Sequence, residues 1–390
     1  MRYNIHADSE CEEDFMQRRG GMTGEGVSRK GLAIIMIILI LLAFGVMYFM
    51  GVFNRVVRNV RAVKLRCAST QSIKPFGDCL LYYDGDSLIC LSPNGNERWN
   101  YMVGSGASFD AGISNIVIWR GSQLSILNKN GRSTYDNNIG ETIQFARAGE
   151  KYIAVVHGDD STSEGSTTVT FYNPEGEKQD TETSAYQDML VLDAGFFADG
   201  DYAWTTALDL YGTVPSTTLN TYRVNSMNTG SADLGETITY KVIYAGNTLN
   251  VVSTRQLRRY DYNGTLDNSQ TVLVYGWKLI DAMVVDNRAM MLFAPTRQIN
   301  DAINITELRC LLGNQDKRLT LPGECVGAGI YNRRIYAFSE DTLYRADLNA
   351  SRFTAVSLPI PNAVTGYLGM LSDGTALLAS GIEVYAVTVP

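Results

Sequence analysis

The amino-acid sequence predicts an all-β propeller, and two observations support that prediction. The first is the segment Ser87–Val103, where an apolar run of strand length is followed by a turn at Asn94-Gly95 and by a second strand with Trp99 and Tyr101 on one face. The second is the composition, because 36 Gly, 22 Tyr and 9 Pro fit short strands joined by glycine turns better than helices or disorder.

Weaker copies of this hairpin recur to the end of the chain. Their turns are at Gly131, Gly176, Gly230, Gly264, Gly313 and Ala350. The mean spacing is about 42 residues, the length of one propeller blade. We therefore predict eight four-stranded units at about 72–104, 107–138, 142–184, 187–236, 237–272, 275–322, 324–360 and 362–390, with seven blades as the alternative.

The last unit, 362–390, contains three strand patterns and no fourth. Residues near 60–68 precede the first unit and have no other assignment. We predict that they supply the missing strand, because pairing the first strand with the last closes the ring and removes exposed sheet edges.

A single charge-free segment precedes the propeller. Gly31–Phe53 contains no charged residue and, at about 1.5 Å per residue in a helix, is long enough to cross a bilayer core of about 30 Å. We predict a disordered cytoplasmic tail at 1–30, a transmembrane helix at 31–53, a juxtamembrane linker at 54–61 and the propeller domain at 62–390. A cleaved signal peptide is the alternative for the apolar segment.

The charges that flank this segment decide its orientation only weakly. They are Arg18, Arg19, Arg29 and Lys30 before it, and Arg55, Arg58, Arg61, Lys64 and Arg66 after it. A short anchor followed by one large domain is the usual single-pass arrangement. We expect a protein of the cell membrane that contacts the lipid bilayer through 31–53 and has an extracytoplasmic propeller, with a cytoplasmic propeller as the alternative.

The repeat resembles a known family. The segment Leu91–Trp99, LSPNGNERW, is similar to the tryptophan-docking repeat of quinoprotein-alcohol-dehydrogenase-like β-propellers, and Tyr135 stands at the equivalent place in the second unit. The order of tail, helix and propeller also resembles an uncharacterised family of single-pass membrane-anchored propellers of Firmicutes. This resemblance implies the scaffold and carries over no catalytic residue.

No pattern in the sequence indicates catalysis, a cofactor or a metal. The adjacent-cysteine disulfide and long insertions of the quinone-dependent enzymes are not seen, and His157 is the only histidine of the predicted propeller. The acidic pairs Asp84/Asp86, Asp159-Asp160 and Asp199/Asp201 fit Asp-containing turns better than calcium ligands. We predict no catalytic, cofactor or metal residues.

Five cysteines of the predicted propeller are interpreted as buried free thiols, although Cys67 and Cys325 have positions near the ring seam. The densest basic run is 254–260, and it makes Arg255, Arg258 and Arg259 weak candidates for a face that binds an anionic envelope polymer. A solvated strand face is the alternative. The formal net charge of −8 gives no reason to expect a nucleic-acid partner.

These observations predict a non-enzymatic binding or scaffolding module at the cell envelope, with a protein or an envelope component as its partner. The long insertions 158–166 and 209–218 are expected on one propeller face. The alternative is a sensor that binds a small ligand in the central channel and signals through the helix. A hydrolase or oxidoreductase is a remote further alternative.

Overall fold

The computed structural model describes Met36 and residues 60–158, 167–183, 186, 189–197, 200–209, 212–296, 304–350 and 352–390. The chain divides into two compact units, Met1–Arg58 and Asn59–Pro390. Within the first unit only Met36, which is helical, is described, so the predicted tail and membrane helix lie outside the described residues. Among the residues that are described, no helix has the length and apolar character needed to cross a membrane.

The second unit consists of short β-strands. The first strand and blades 1 to 4 are β1 Arg61–Ala68; β2 Ser72–Phe76, β3 Cys79–Tyr83, β4 Ser87–Leu91 and β5 Glu97–Met102; β6 Ser108–Ala111, β7 Asn115–Arg120, β8 Gln123–Asn128 and β9 Ser133–Asn138; β10 Thr142–Ala148, β11 Ile153–Gly158, β12 Thr167–Tyr172 and β13 Lys178–Glu182; and β14 Met189–Phe196, β15 Tyr202–Asp209, β16 Ser216–Arg223 and β17 Met227–Gly235.

Blades 5 to 8 follow in the same order. They are β18 Thr239–Ala245, β19 Thr248–Ser253, β20 Gln256–Tyr260 and β21 Val272–Leu273; β22 Trp277–Val285, β23 Arg288–Pro295, β24 Ile305–Leu312 and β25 Gln315–Cys325; β26 Gly327–Tyr331, β27 Arg334–Phe338, β28 Thr342–Asp347 and β29 Thr354–Ser357; and β30 Gly366–Met370, β31 Thr375–Ser380 and β32 Glu383–Thr388. A short 3₁₀ helix, Asn268–Gln270, lies between β20 and β21.

Each blade is a four-stranded antiparallel sheet, and the described strands form eight of them. The eight-bladed prediction is therefore confirmed. The first strands of neighbouring blades contact one another, which makes them the inner strands of the ring.

The ring is closed by the two ends of the propeller. β1 pairs antiparallel with β32, from Arg61 opposite Thr388 to Ala68 opposite Glu383, and forms the outer strand of blade 8. This confirms the predicted closing strand. With this pairing, blade 8 has four strands, as every other blade has.

The core lies between blades, because each sheet is covered by a neighbour on both sides. The middle strands are accordingly buried along almost their whole length, as in Ile153–Gly158, and read as continuous apolar runs. Outer strands are more exposed, and β5 and β9 have no fully buried residue. Thus the sequence signal is strongest in the second and third strands of a blade.

The two faces of the ring differ in their connections. One face, here called the turn face, carries the turns between first and second strands and between third and fourth strands. The other, here called the loop face, carries the connections between second and third strands and between blades. The strand ends that flank the two long insertions lie on the loop face, as expected: Gly158 and Thr167 in blade 3, and Asp209 and Ser216 in blade 4. Residues 159–166 and 210–211 themselves lie outside the described residues. The chain enters at Arg61 on the turn face.

Neighbouring blades are joined on the turn face by a recurring contact. In the first junction the Trp99 ring lies on Gly131, where a Cβ atom would be 2.4 Å from the indole, and Trp99 Nε1 donates to Lys129 O at 3.3 Å. In the second, the Tyr135 ring lies on Gly176 and is closer still to the place of a Cβ atom. The glycine leaves room for the ring because it has no side chain. These two contacts are the tryptophan-docking positions that the sequence resemblance indicates.

Later junctions use polar groups at the same place. In each case a side chain of one blade hydrogen-bonds the backbone of the turn between the third and fourth strands of the next blade. From blade 3 to blade 7, the bonds are Asn225 N to Asp180 Oδ2 (3.0 Å), Thr221 Oγ1 to Tyr262 O (2.8 Å), Arg259 Nη2 to Gly313 O (3.1 Å), and Lys317 Nζ to Leu348 O (2.7 Å) and Ala350 O (2.8 Å). In blade 7, Arg345 Nη1 donates to Pro390 O at 2.9 Å, beyond the third strand of blade 8. A different side chain therefore performs the docking at each later junction.

Candidate binding face

The three arginines predicted as binding candidates do not form one surface. Arg255 is exposed in the turn between β19 and β20 on the loop face. Arg258 and Arg259 are adjacent in β20, so the pleat directs their side chains to opposite sides of the sheet. Arg258 pairs across the strand with Val251, which packs toward blade 4, and Arg259 with Asn250 on the side of blade 6.

The surroundings of the last two arginines also differ. Gln256 Oε1, in the amide orientation that satisfies its neighbours, accepts from Arg258 Nη2 at 2.7 Å and from Nε at 2.9 Å. Arg259 is only 8% exposed, and burial lowers the pKa of its guanidinium. Binding of an envelope polymer by these residues stays a prediction, and of the three Arg255 is the most open to solvent.

His157 is buried at the loop-face end of β11. Its Nδ1 lies 2.6 Å from Glu141 Oε2 and its Nε2 lies 2.8 Å from Thr170 Oγ1. This carboxylate–imidazole–hydroxyl order resembles a catalytic triad, but Thr170 is completely buried and its hydroxyl also contacts Thr181 at 3.3 Å. A nucleophile must reach its substrate, so the group functions as an internal hydrogen-bond network.

The acidic turns that are described behave as turns. Asp84 Oδ1 accepts from Asp86 N at 2.9 Å and from Ser87 N at 2.7 Å, and these backbone donors lower the pKa of the Asp84 carboxyl. Asp201 forms an ion pair with Lys151 at 2.7 Å. Asp159, Asp160 and Asp199 lie outside the described residues. Within the described part of the chain, no group of three or more His, Cys, Asp or Glu could hold a metal ion.

The described cysteines are free and buried, as the sequence interpretation holds. They are Cys67, Cys79, Cys90, Cys310 and Cys325. Burial raises the pKa of the Cys67 thiol to about 11 and those of Cys310 and Cys325 to about 12. These three thiols are therefore protonated and unreactive at neutral pH.

Inner-strand polar groups connect successive blades. These contacts are Lys74 with Asp110, Arg147 Nε with Asp193 Oδ1 (2.8 Å), Leu279 N with Tyr240 Oη (3.1 Å) and Ile330 N with Asp281 Oδ2 (2.7 Å). The charges of the first four inner strands thus neutralise one another across blade boundaries. Their contacts stabilise the ring, and the same groups would have to break them to bind a ligand.

Exposed apolar side chains are concentrated on the loop face. Eight of the large ones described in the propeller lie there, namely Met102, Leu190, Val214, Ile238, Tyr240, Leu273, Tyr275 and Ile382, whereas Ile113, Tyr262 and Val284 lie toward the turn face. Tyr275 is 80% exposed and Leu273 is 71% exposed. Because water-exposed apolar surface is unfavourable, its uneven distribution makes the loop face the candidate interaction surface.

A groove runs over blades 5 to 7 on the same face. Its first part is a cavity of about 1030 Å³ lined by Thr254, Tyr275, Gly276, Trp277, Pro295, Thr296, Asn304, Thr306, Glu307 and Glu324. The Trp277 ring is held in place because Arg318 and Arg309 lie over it, at 5.4 and 6.0 Å from its centroid. Tyr275, two residues away, is free to contact a partner.

The second part of this groove continues over blade 7. It has a volume of about 530 Å³ and shares Asn304 and Glu324 with the first part. Its lining adds Glu340, Asp341 and Tyr344. We call the two parts together the loop-face groove, which combines aromatic side chains with four carboxylates and no basic lining residue.

The groove could not be found from the sequence, since its lining comes from positions between 254 and 363. One local signal was available. In the segment Val274–Trp277, VYGW, Tyr275 lies in the connection between blades 5 and 6, two residues before Trp277, the first residue of β22. Aromatic residues in a connection have no strand role and are typical of binding surfaces.

Comparisons with known proteins agree with the fold. Residues 54–350 match the family described as "Family of unknown function (DUF5711)", and no curated protein matches the chain. The crystal structure of Saccharomyces cerevisiae Sqt1 is similar with a TM-score of 0.56 and 11% identity, covering 85% of this chain and 100% of that one. The structure of BamB from Moraxella catarrhalis gives a TM-score of 0.50 and 12% identity, with coverages of 84% and 95%. At these identities the likeness shows the propeller fold alone.

Proposed function

The chain belongs to the DUF5711 family, and we propose that it is a single-pass membrane protein whose propeller is a non-enzymatic binding or scaffolding module at the cell envelope. In this proposal residues 31–53 anchor the protein in the lipid bilayer. The loop face binds a protein or envelope partner, with the loop-face groove at its centre.

The uneven distribution of exposed apolar side chains carries the proposal. Tyr275 and Leu273 are among the most exposed large apolar residues of the described propeller. Tyr275 lines the groove that holds Trp277, and Leu273 precedes it by two residues. A surface with aromatic anchors in its centre and polar groups around them has the composition of a protein interface. The turn face has fewer such residues and also receives the chain at Arg61.

The described chemistry favours binding over catalysis. The one imidazole of the described residues is occupied by Glu141 and Thr170. Three of the thiols are held protonated by burial, and the charges of the first four inner strands pair with one another. Catalysis needs a perturbed group that reaches a substrate, and three of the four groove carboxylates, Glu324, Glu340 and Asp341, are exposed to solvent.

Affinity capture from membranes tests the binding face. The tagged full chain is compared with the double variant Leu273→Ser/Tyr275→Ser and with the matched turn-face variant Ile113→Ser/Tyr262→Ser. Leu273, Tyr275 and Ile113 are at least 71% exposed, so the loop-face variant should lower the melting temperature by no more than about 2 °C. Tyr262 is 46% exposed and its ring lies 5.7 Å from that of Tyr202, so the melting temperature of the turn-face variant is measured alongside. We expect a reproducible partner to be lost from the loop-face variant and retained by the turn-face variant. Equal recovery with both variants would refute the loop face as the binding surface.

Thiol labelling tests the proposed orientation. Since the described native cysteines are buried, a Tyr275→Cys variant that also carries Cys11→Ser adds one accessible thiol to the propeller. A maleimide that does not cross membranes should label it on intact cells. Labelling only after cell lysis would instead place the propeller in the cytoplasm.

A further inference from the structure

A separate polar cavity lies on the turn face between blades 5 and 6. It has a volume of about 430 Å³ and is lined by Ala245, Thr248, Asn250, Arg259, Gln270, Asn287, Arg288, Ala289, Leu312, Gly313, Asn314 and Gln315. The polar lining therefore consists of two guanidiniums, amides and a hydroxyl, with no carboxylate. In a chain with a net charge of −8, this local excess of positive charge is unexpected.

Arg259 is the buried cation of this cavity. It is 8% exposed, its Nε donates to Asn250 Oδ1 at 3.1 Å and its Nη2 donates to Gly313 O at 3.1 Å. Both acceptors are neutral, and no hydrogen bond among the described residues uses Nη1. Burying a cation that bonds to no carboxylate is costly, and burial lowers the pKa of Arg259 by more than the nearby charge of Asp267 raises it.

Arg288 reaches the same place from the first turn of blade 6. A Cβ atom on Gly313 would lie 3.3 Å from Arg288 Cδ and 3.3 Å from its Nη1, while the carbonyl of Gly313 accepts from Arg259. The two guanidiniums therefore converge on one residue. Like charges repel, and an anion that lies between or beside them would relieve this repulsion.

The nearby carboxylates are engaged elsewhere. Asp267 accepts from Ser269 N at 3.0 Å and from Ser269 Oγ at 2.6 Å, and Asp286 forms an ion pair with Arg333. None of the ion pairs found among the described residues includes Arg259 or Arg288. No described carboxylate therefore lines this cavity or bonds to either guanidinium, although the charge of Asp267 acts on Arg259 from nearby.

We propose that the turn-face cavity is an anion site that binds a phosphate group through Arg259 and Arg288. Guanidinium groups present paired N–H donors that match tetrahedral oxyanions. The amides of Asn287, Asn314 and Gln315 add neutral donors at the rim. The phosphate comes either from a soluble phosphate ester or from a lipid headgroup, and the experiment separates these sources. The inference does not depend on the loop-face partner.

Inorganic phosphate is the first probe, added to the purified full chain in detergent at constant ionic strength kept with sodium chloride. We expect it to raise the melting temperature of the wild type by mass action. Arg288→Gln, a change at an exposed position, should weaken the fitted phosphate affinity at least about tenfold because one charge-assisted contact is lost. Arg132→Gln, the loss of an exposed arginine in the turn between β8 and β9 on the same face, should leave the affinity unchanged. Arg259→Lys should weaken it as well if the variant folds.

Vesicles are the second probe. The same proteins are reconstituted in phosphatidylcholine with and without about 30% phosphatidylglycerol, and melting is followed by tryptophan fluorescence. Stabilisation by the anionic lipid that requires Arg288 identifies a headgroup, and an effect of inorganic phosphate alone identifies a soluble source. An equal response of Arg288→Gln and wild type to both probes, or no response of the wild type to either, overturns the proposal.

Discussion

At the junction between blades 1 and 2 an indole ring lies on the next blade's turn, whereas at the junction between blades 6 and 7 an ammonium group reaches the equivalent turn. Trp99 contributes apolar contact with Gly131 and one hydrogen bond of 3.3 Å. Lys317 contributes two shorter bonds, 2.7 and 2.8 Å, to Leu348 O and Ala350 O. The comparison teaches that the fold requires the turn to be held and leaves open which chemistry holds it.

This freedom explains why the repeat fades along the chain. A tryptophan that docks on a glycine requires specific residues at two positions of the sequence, here Trp99 and Gly131. A lysine that donates to backbone carbonyls requires a specific residue at only one position, because every residue has a carbonyl. Arg259 likewise donates to a backbone carbonyl, and in the sequence it is visible only as one residue of the basic run 254–260. The contact persists after its sequence motif has gone.

The largest loss of stability is expected on removal of β1, because no side chain can replace the backbone pairing of β1 with β32. Removing β1 leaves β32 without its outer partner and exposes the core around β1, where Leu65 and Cys67 are buried. We expect a propeller that begins at Ser69 to melt at least about 10 °C below one that begins at Asn59. Removal of Ile382–Pro390 should cost as much, and both deletions together should add little. A difference below about 1 °C would show that ring closure contributes nothing to stability.

The aromatic junction is tested by a double-mutant cycle. Gly131→Ala places a methyl group 2.4 Å from the indole and also strains a residue at φ +73°, so it should cost about 2 to 4 kcal/mol of unfolding free energy. Gly121→Ala is the matched control, since Gly121 has φ +58° and open space around it. Urea unfolding should show that the excess cost of Gly131→Ala over Gly121→Ala disappears when Trp99→Ala is present. An excess that survives without the indole would contradict docking.

The cationic junction should be weaker and independent of apolar burial. Lys317→Met removes two bonds to carbonyl oxygens while it keeps most of the side-chain length, and we expect a loss of about 1 to 2 kcal/mol. Lys278→Met, at an exposed position of β22, is the control and should change the unfolding free energy by less than about 0.5 kcal/mol. If both variants lose the same stability, the two bonds do not hold the turn.

The smallest effect concerns pH and the inner strands. Asp281 accepts from Ile330 N of the next blade at 2.7 Å, and burial raises the pKa of its carboxyl above the usual 3.8. The folded state therefore holds this proton more tightly, so its contribution to stability is lost as pH rises from 3.8 through the folded pKa. Relative to Asp281→Asn, the unfolding free energy of the wild type should fall over that window.

Asp84 provides a comparison of opposite sign for this measurement. Backbone donors lower the pKa of Asp84 below 3.8, so its contribution is present above 3.8 and is lost as pH falls through the folded value. Urea titrations of wild type, Asp281→Asn and Asp84→Asn across the acid range should give difference curves of opposite slope. Two flat curves, or two of the same slope, would contradict this assignment.

Much of the fold could be predicted because propeller blades are local units. Each hairpin has its own turn, such as Asn94-Gly95, and the turn spacing contains the blade count. The closing strand followed from the physical cost of an unpaired edge. The junctions could not be predicted beyond Trp99 and Tyr135, because the later ones pair side chains with backbone groups that have no sequence signature.

The candidate sites were less predictable for a geometric reason. Arg258 and Arg259 are adjacent in sequence, but the period-two pleat of β20 separates them to opposite sides of the sheet. Conversely, Arg259 and Arg288 converge although 28 residues and a blade boundary separate them. A run of charged residues along a strand therefore places only about half of those charges on any one side of the sheet.

The pairing of β1 with β32 can form only after the last strand of the chain has been synthesised. Lys64 and its partner Glu383 are 319 residues apart, which at about 5 to 20 residues per second corresponds to roughly 15 to 65 s of translation. During that interval blades 1 to 7 can form from neighbouring segments, but the edge of β1 has no partner. Its exposed Arg61, Lys64 and Arg66 are residues that discourage pairing with another chain. The strand that closes the ring thus protects the nascent protein from association until its partner has been made.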